Sequence, residues 1–139
     1  DYILQSKGMT VHTVPAHAPV ADAIRVLNEN RIGAVIVLSD HGEVAGILSE
    51  RDIVRHLADD PARLLKLSVR EVMTSNVITC RRNTTVSQLM EEMTTRRIRH
   101  IPVVEDGELV GIVSIGDVVK RKIEETEQEA LALREYISS

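Results

Sequence analysis

Aromatic side chains are almost absent from this chain, which has two Tyr, no Phe and no Trp among its 139 residues. Proteins that bind single-stranded nucleic acid stack the bases on aromatic platforms, and this chain has too few residues to supply them. Its formal net charge of −4 also has the wrong sign for a surface that attracts nucleic acid or an anionic membrane. We therefore expect no nucleic acid and no membrane among its partners.

Cysteine and long apolar runs are equally scarce. Cys80 is the only cysteine, so the chain forms no internal disulfide and suits a reducing compartment. No apolar run approaches the roughly 20 residues of a membrane-spanning helix, and the chain opens at Asp1 without a signal-peptide pattern. We expect a cytoplasmic protein in which Cys80, within an apolar stretch, is a small buried filler.

The sequence also lacks the spacings that catalysis and metal binding require. No two of the five histidines have the His-x3-His spacing of a metal site, and a lone cysteine cannot form Cys-x2-Cys. No serine lies in a glycine elbow, and no Walker or Rossmann glycine pattern occurs. We predict a binding protein that is not an enzyme, with no catalytic residues and no metal.

What the chain does have is an internal repeat. The run from Gly46 to Asp52 (GILSERD) returns as the run from Gly111 to Asp117 (GIVSIGD). Five earlier residues also recur in the same order: Val11, Thr13, Val20, Arg31 and Ile32 match Val77, Thr79, Val86, Arg97 and Ile98. The single gap between the copies falls in a turn, where changes of length are tolerated, so the pattern indicates a duplicated folding unit. Each copy is too short for a stable core of its own, and we expect the two to share one.

Each copy is predicted to run strand, helix, strand, turn, strand, helix. Runs of β-branched residues and apolar residues at helical spacing place strands at 11–14, 34–38 and 44–48, with helices at 20–30 and from 49 to about 57. In the second copy the same signals place strands at 77–80, 101–104 and 109–113. The inner face of its first helix is predicted to contain Val86, Leu89, Met90 and Met93. A short helical turn at about 69–73 joins the copies.

The last helix is predicted to run from about residue 117 to residue 137. Its apolar residues form one stripe among charged neighbours: Val119, Ile123, Ala130, Leu133 and Ile137. An apolar stripe that extends past its own domain is typical of a helix that docks on another helix. We favour a second copy of the chain as its partner; the alternative is a helix folded back onto its own core.

The repeated Gly-to-Asp run has two interpretations. A serine at a helix start with an acidic residue three positions later is a capping box, so Ser49 and Ser114 are explained as helix starts alone. The second interpretation is a ligand site. Glycine in a strand, as at Gly46 and Gly111, permits close approach by a backbone or a ligand, and the free N–H groups of a helix start attract phosphate. Basic residues also occur within or near these segments, in Arg51 and in Arg99-His100.

Two copies of β-α-β-β-α, each ending in Gly-apolar-apolar-Ser-x-x-Asp, resemble a pair of cystathionine-β-synthase (CBS) domains. The segments that carry the resemblance are RIGAV (31–35), SERD (49–52), RIRHIPV (97–103) and SIGD (114–117). The chain looks most like the free-standing bacterial pairs. The resemblance implies an α/β (α+β) fold of tandem repeats at 8–58 and 74–122 that pack about a pseudo-twofold axis, a linker at 59–73 and a C-terminal helix extension at 123–139.

The resemblance also implies two clefts for an adenosyl ligand, each built from strand residues of one copy and the Ser/Asp motif of the other. The aspartate would bind ribose hydroxyls, and the serine would bind phosphate or ribose. AMP is the first candidate, and NAD(H), ATP, ADP and S-adenosylmethionine are the others. The first cleft would hold Ser49, Arg51, Asp52, Thr79, Arg99, His100 and Ile101. The second would hold Thr13, Gly33, Ala34, Val35, Ser114 and Asp117. The first cleft has the cations, so we expect it to bind anions more tightly.

The function that follows from the resemblance is regulatory. We expect a nucleotide-sensing, signal-transduction module that forms a homodimer and acts on an unidentified regulated protein. The alternative is a purely structural dimerisation module with unoccupied clefts, in which both motifs serve only as helix caps. An enzyme or an RNA binder is a third hypothesis, and the missing catalytic groups, acidic balance and scarce aromatics disfavour it.

Overall fold

The computed structural model describes residues 11–138. Positions 8–10 of the predicted first repeat and residue 139 of the predicted C-terminal extension lie outside the described residues. The architecture is the predicted mixed α/β fold of tandem repeats with a long C-terminal helix. The predicted boundaries of the repeats, 8–58 and 74–122, stay a prediction.

The first copy is a three-stranded sheet with two helices. Its elements are β1 (Thr13–Pro15), α1 (Val20–Asn30), β2 (Ala34–Leu38), β3 (Val44–Ser49) and α2 (Glu50–Asp59). The strand order is β1-β2-β3, with β1 parallel to β2 and β2 antiparallel to β3. Since β3 leads directly into α2, the end of this strand fixes where the helix begins.

Two short helices connect the copies. They are α3 (Pro61–Leu64) and α4 (Val69–Val72). Helix α2 ends because Asp60 leaves the helical conformation, and the Asp60 side chain then caps α3 by accepting a hydrogen bond from the Arg63 amide at 3.2 Å. The linker packs against the first copy, because Leu64 and the two ends of α4 are buried in that copy's hydrophobic core.

The second copy contains α5 (Val86–Arg96), β4 (His100–Glu105), β5 (Glu108–Ser114) and the long α6 (Ile115–Ser138). Asp106 and Gly107, in the turn between the strands, have φ values of 51° and 81°, as a tight hairpin turn requires. The prediction for the inner face of α5 was right for Val86, Leu89 and Met93, which are buried, and wrong for Met90, which is exposed.

The strand predicted at 77–80 is not formed; Cys80 alone pairs, in a parallel bridge with Val103. The reason lies in Pro102. In the first copy the Ile36 amide donates to the His12 carbonyl, 3.3 Å away, and so holds the start of the first strand. Pro102 occupies the repeat position of Ile36 and has no N–H to donate, so the ladder cannot extend toward residue 78.

Within residues 11–138, most buried apolar side chains form two separate clusters rather than the one common core that we expected. The first cluster combines the first copy with the linker, and the second lies within the second copy, where Val86, Ile101 and Val113 are buried. Each sheet has helices of its own to cover it, which lets each copy bury a separate core. Ile36 and Ala34 are also buried, and they belong to neither cluster.

Gly46 is required by the approach of another backbone. A Cβ at this position would lie 2.6 Å from the Met73 sulfur and 2.7 Å from the Thr74 carbonyl oxygen. The approach is held by two hydrogen bonds, because the amides of Ile47 and Thr74 each donate to the other residue's carbonyl at 2.9 Å. The sequence alone allowed two reasons for a glycine here, close approach by another backbone or close approach by a ligand. The structure shows the first, the approach of another backbone.

Gly46→Ala is therefore expected to destabilise the fold by about 1–3 kcal/mol, the usual range for overpacking a site with no room to relax. Gly116→Ala is the matched control, because Gly116 lies inside α6 and the nearest atom to its Cβ position is the Ser114 hydroxyl oxygen at 3.6 Å. That change should be neutral or stabilising by up to about 1 kcal/mol. Urea denaturation midpoints measure both, and equal midpoints for the two variants would contradict the steric explanation.

Candidate functional site

A cavity of about 550 Å³ lies between the two copies. The first copy supplies Gly33, Ile47, Ser49, Glu50, Arg51, Asp52 and Arg55; the second copy, which begins just after the linker, supplies Thr74, Asn76, Val77, Ile78, Arg97, Ile98, Arg99, His100 and Ile115. The volume is in the range of small-molecule sites, roughly 300–1,000 Å³. The start of α2 therefore faces the start of β4 across a space that could hold a small ligand.

Asp52 is the buried acidic group of this cavity, with 4% of its surface exposed. Its Oδ2 accepts hydrogen bonds from the Ser49 amide at 3.0 Å and the Ser49 hydroxyl at 3.1 Å. The Asp52 amide donates back to the Ser49 hydroxyl oxygen at 3.3 Å. The Ser-x-x-Asp motif thus forms a complete capping box at the N-terminus of α2.

The segment that follows the linker adds a further partner to Asp52. The Thr74 hydroxyl donates to Asp52 Oδ1 at 3.1 Å, and the Arg55 guanidinium stands 3.9 Å from the same oxygen. A carboxylate has about four lone-pair positions, and the hydrogen bonds from Ser49 and Thr74 use three of them. Asp52 is therefore held rigidly in place and retains room for about one further donor from a ligand.

Arginines dominate the rim of the cavity. Arg51 and Arg55 come from α2, and Arg97 and Arg99 come from the segment between α5 and β4. All four are exposed, and they outnumber the acids of the lining, Glu50 and Asp52. Guanidinium groups bind phosphate through paired N–H groups, so a ligand with a phosphate matches this charge.

Arg97 is held in an unusual backbone conformation. It ends α5 with φ 55° and ψ 42°, and Arg31 ends α1 in the same left-handed way with φ 52° and ψ 48°. Glycine is the residue that this position favours, and any other side chain costs about 1 kcal/mol or more. Arg97 also lines the cavity. The residue with the strained backbone conformation is therefore one of the cations of the site.

His100 and Gly33 meet within the cavity. A Cβ on Gly33 would lie 3.6 Å from both Cε1 and Nε2 of His100, which is ordinary contact. The two copies use the same local connection here: the Glu50 amide donates to the Gly33 carbonyl at 2.9 Å, and the Ile115 amide donates to the Arg99 carbonyl at 2.8 Å. This repeated connection places the start of each strand beside the start of the helix that follows in its own copy.

Five of the seven residues predicted for the first cleft line the cavity together: Ser49, Arg51, Asp52, Arg99 and His100. Ile101 instead points into the second core with no exposed surface. Thr79 is exposed and is not part of the lining. Sequence reasoning missed the cation Arg55, one helical turn beyond Arg51, and missed Arg97, although the basic cluster around it was visible in the sequence. No pattern in the sequence pointed to Thr74 and Asn76, because only the folded chain brings the segment after the linker to this cavity.

The residues predicted for the second cleft are more dispersed. Ser114 and Asp117 form the same capping box as Ser49 and Asp52, with Asp117 Oδ2 2.8 Å from the Ser114 amide and 2.9 Å from its hydroxyl. Gly33 lines the first cavity. The other three belong to the first sheet: Ala34 and Val35 are buried, and Thr13 is exposed on β1. Ser114 and Asp117 are not part of the lining of this cavity.

Residues 11–138 include no group of three His, Cys, Asp or Glu side chains placed to hold a metal ion. None of the helices within that range is long and apolar enough to cross a membrane. Cys80 is partly buried, and this burial, together with the charge of Glu105, raises the pKa of its thiol to about 11. The thiol therefore stays protonated at neutral pH and is a poor nucleophile.

Two similar copies, β-α-β-β-α followed by α-β-β-α, with a cavity between them define a class of tandem-repeat module. The family model of the CBS domain matches residues 9–59 and 69–124, so the chain belongs to the CBS-domain family and contains two copies of the domain.

Relatives of known structure share the arrangement. A CBS-domain containing protein from Agrobacterium tumefaciens is 47% identical, with a TM-score of 0.82 over 86% of this chain and 90% of its own. The CBS domain pair of the protein MJ0100, solved in complex with 5′-methylthioadenosine and S-adenosyl-L-methionine, is 25% identical, with a TM-score of 0.80 over 90% of this chain and 98% of its own.

A curated relative is the mitochondrial CBS domain-containing protein CBSX3 of Arabidopsis thaliana, which is 36% identical over 122 residues. The match covers 85% of this chain and 59% of that relative. The chain therefore spans about three fifths of that relative's length.

Proposed function

We propose that this chain is a regulatory module that senses an adenine nucleotide in the cavity around Asp52. The observation that carries the proposal is the meeting of a buried, rigidly held carboxylate with four arginines in one cavity. A carboxylate suits the ribose hydroxyls of an adenosyl ligand, and the arginines suit its phosphate. The adenosyl ligands in the MJ0100 structure support the same class of ligand.

Within this class, AMP is the ligand we propose first, with ADP, ATP, NAD(H) and S-adenosylmethionine as alternatives. S-adenosylmethionine has no phosphate and would offer Arg51, Arg97 and Arg99 only its single carboxylate. Asp52, Ser49 and His100 would then bind the nucleoside. The residues predicted for the second cleft, which include Ser114 and Asp117, form a second proposed site that is poorer in cations.

The module would act as a cytoplasmic homodimer and pass its state to a regulated protein. A ligand shifts such a module only by binding one of its conformations more tightly than another. The cavity is lined by both copies, so a bound nucleotide would change how firmly the copies are held relative to each other. No catalytic step is part of the proposal.

The structural alternative also has an observation in its favour. Both Ser-x-x-Asp motifs form complete capping boxes without any ligand, so helix capping alone accounts for the serine and the aspartate. It does not account for the four arginines at one cavity. Arg55 has an acidic partner in Asp52, but like charges repel one another, so a purely structural module gains little from collecting four arginines at one cavity.

Thermal unfolding with a panel of nucleotides distinguishes the nucleotide-sensing module from the purely structural module. AMP at about 100 times its dissociation constant is expected to stabilise the native state by roughly 2.7 kcal/mol, and inorganic phosphate alone should give a smaller shift. A dye or calorimetric readout is needed because the chain has no Trp and two Tyr. If AMP, ADP, ATP, NAD, NADH and S-adenosylmethionine all leave the melting temperature unchanged, the structural module is the better explanation.

A further inference from the structure

Helix α6 extends far beyond the part of the protein that it packs on. Val118 is buried near its start, but every described residue from 126 to 138 is exposed. The exposed residues include Leu133 at 59% and Ile137 at 73%. An isolated helix of this length is marginal in water. Its stability and its exposed apolar groups both call for a partner.

The apolar positions of α6 follow a heptad repeat. With Ile123 at an a position, the a series is Ile123, Ala130 and Ile137, and the d series is Val119, Thr126 and Leu133. Two series with alternating spacings of three and four residues form the seam of a coiled coil. Ile at a with Leu at d, as at Ile137 and Leu133, favours two parallel strands.

The charged residues at the e and g positions beside this seam determine whether two copies of the helix pair in parallel or antiparallel. The g positions Lys122 and Glu129 would meet the e positions Glu127 and Arg134 of a parallel second helix, so both pairs are of opposite sign. In an antiparallel pair, e faces e and g faces g. Lys120 would then meet Arg134, while Glu127 and Glu129 would each meet their own copy, so all of these contacts are of like sign. A second identical helix is therefore complementary only when parallel.

A groove beside the first turns of α6 extends the apolar seam toward the N-terminus of the helix. An open, largely apolar groove of about 650 Å³ runs along the first turns of α6, and its lining includes Ile115, Val119 and Ile123. Two of these residues belong to the a and d series. The exposed apolar surface is thus continuous from the start of α6 to its end.

We propose that α6 pairs with the α6 of a second copy of this chain as a parallel, in-register, two-stranded coiled coil over residues 119–137. The partner is specific, because the charge pattern of the helix complements itself in this orientation. The pairing has twofold symmetry with its axis along the helices. It places the two modules side by side at the same end of the coil and does not depend on any ligand.

Charge reversal in the full chain tests both the partner and the orientation. Glu129→Arg alone and Arg134→Glu alone each put like charges together in the parallel coil, and each should weaken the dimer roughly tenfold. The double variant restores opposite charges and should return the dissociation constant to that of the unchanged chain. Sedimentation equilibrium measures the constant, and circular dichroism checks that these exposed substitutions leave the fold intact.

The other outcomes count against the proposal. In an antiparallel pair, Glu129→Arg would replace one like-charge contact by another with little effect, and the double variant would pair better than the unchanged chain. If none of the three variants alters the dimer, or if the unchanged chain is a monomer, α6 does not pair with itself.

Oxidative cross-linking gives an independent measure in a Cys80→Ser background. Ile137→Cys should form a disulfide between two chains, since the two copies of an a residue lie side by side in a parallel coil. Gln128→Cys is the control, because Gln128 is at the f position on the outside of the coil. Equal cross-linking of the two variants, or none at residue 137, would overturn the parallel arrangement.

Discussion

Asp52→Ala is expected to lower the affinity for AMP about 100-fold, which is the loss of one or two hydrogen bonds to a charged group. Asp52 is the buried acid that lines the cavity, and it retains room for about one further hydrogen-bond donor. The change also removes the capping box of α2 and the partner of the Thr74 hydroxyl. Capping alone is worth about 0.5–2 kcal/mol, so the free energy of unfolding should fall by at least that much.

Asp117→Ala is the matched control for this substitution. Asp117 forms the same capping box with Ser114, so its replacement removes the same cap without touching the arginine-rich cavity. We expect both variants to unfold more easily and Asp52→Ala to lose far more affinity. Calorimetric titration with AMP measures the affinity of each variant, and urea denaturation measures its free energy of unfolding. A greater loss of affinity in Asp117→Ala would show that the other motif holds the nucleotide.

Asp52→Asn distinguishes the two roles of the carboxylate. An amide oxygen can still accept the hydrogen bonds of the Ser49 amide, so much of the cap survives, but the negative charge is lost. If Asp52 binds ribose hydroxyls, the Asn variant should be nearly as stable as the parent and still bind AMP more weakly. A variant with unchanged affinity would mean that Asp52 acts only as a helix cap.

Arg97→Gly is expected to change stability and binding in opposite directions. Glycine adopts the left-handed conformation at φ 55° without a clash, so the melting temperature should rise by roughly 4 °C, which corresponds to about 1 kcal/mol. The same change removes one of the four guanidinium groups at the cavity, and the affinity for AMP should fall about tenfold. Few substitutions stabilise a protein while weakening its ligand, so the result would be diagnostic.

Arg31→Gly supplies the control within the same chain. Arg31 has the same backbone conformation at the end of α1, but it does not line the cavity. Its replacement should raise the melting temperature by a similar amount and leave AMP affinity at the Asp52 cavity unchanged. Thermal unfolding and titration of both variants measure the two effects separately. Equal affinities for AMP in the two variants would show that Arg97 does not bind the phosphate.

The repeat and the order of elements could be predicted because they depend on local patterns. Glycines and turn residues punctuate the chain, and β-branched runs such as residues 34–38 form strands in almost any context. The single strand that failed, at 77–80, failed for a reason present in the sequence. Pro102 lacks the amide that its repeat partner Ile36 donates, but this matters only once β4 is known to lie beside residue 78.

The candidate site was only partly predictable. The Ser-x-x-Asp motifs and the Arg99-His100 pair were visible as residue types at fixed spacing. The roles of Thr74 and Arg97 were not, because each depends on a contact between segments far apart in the chain. Ile101 shows the opposite error: its strand was placed well, but the alternation of the strand turns this side chain into the core.

The sequence by itself determined that this protein is a duplicated module, that each copy ends in a capped helix, and that its last helix carries an apolar stripe. These features follow from spacing along one chain, which local backbone geometry converts directly into structure. Only the tertiary structure decided which side chains share a cavity, why Gly46 must be glycine and how Asp52 is buried. Those outcomes depend on contacts between segments far apart in the chain, such as the pairing of Thr74 with Ile47 of β3.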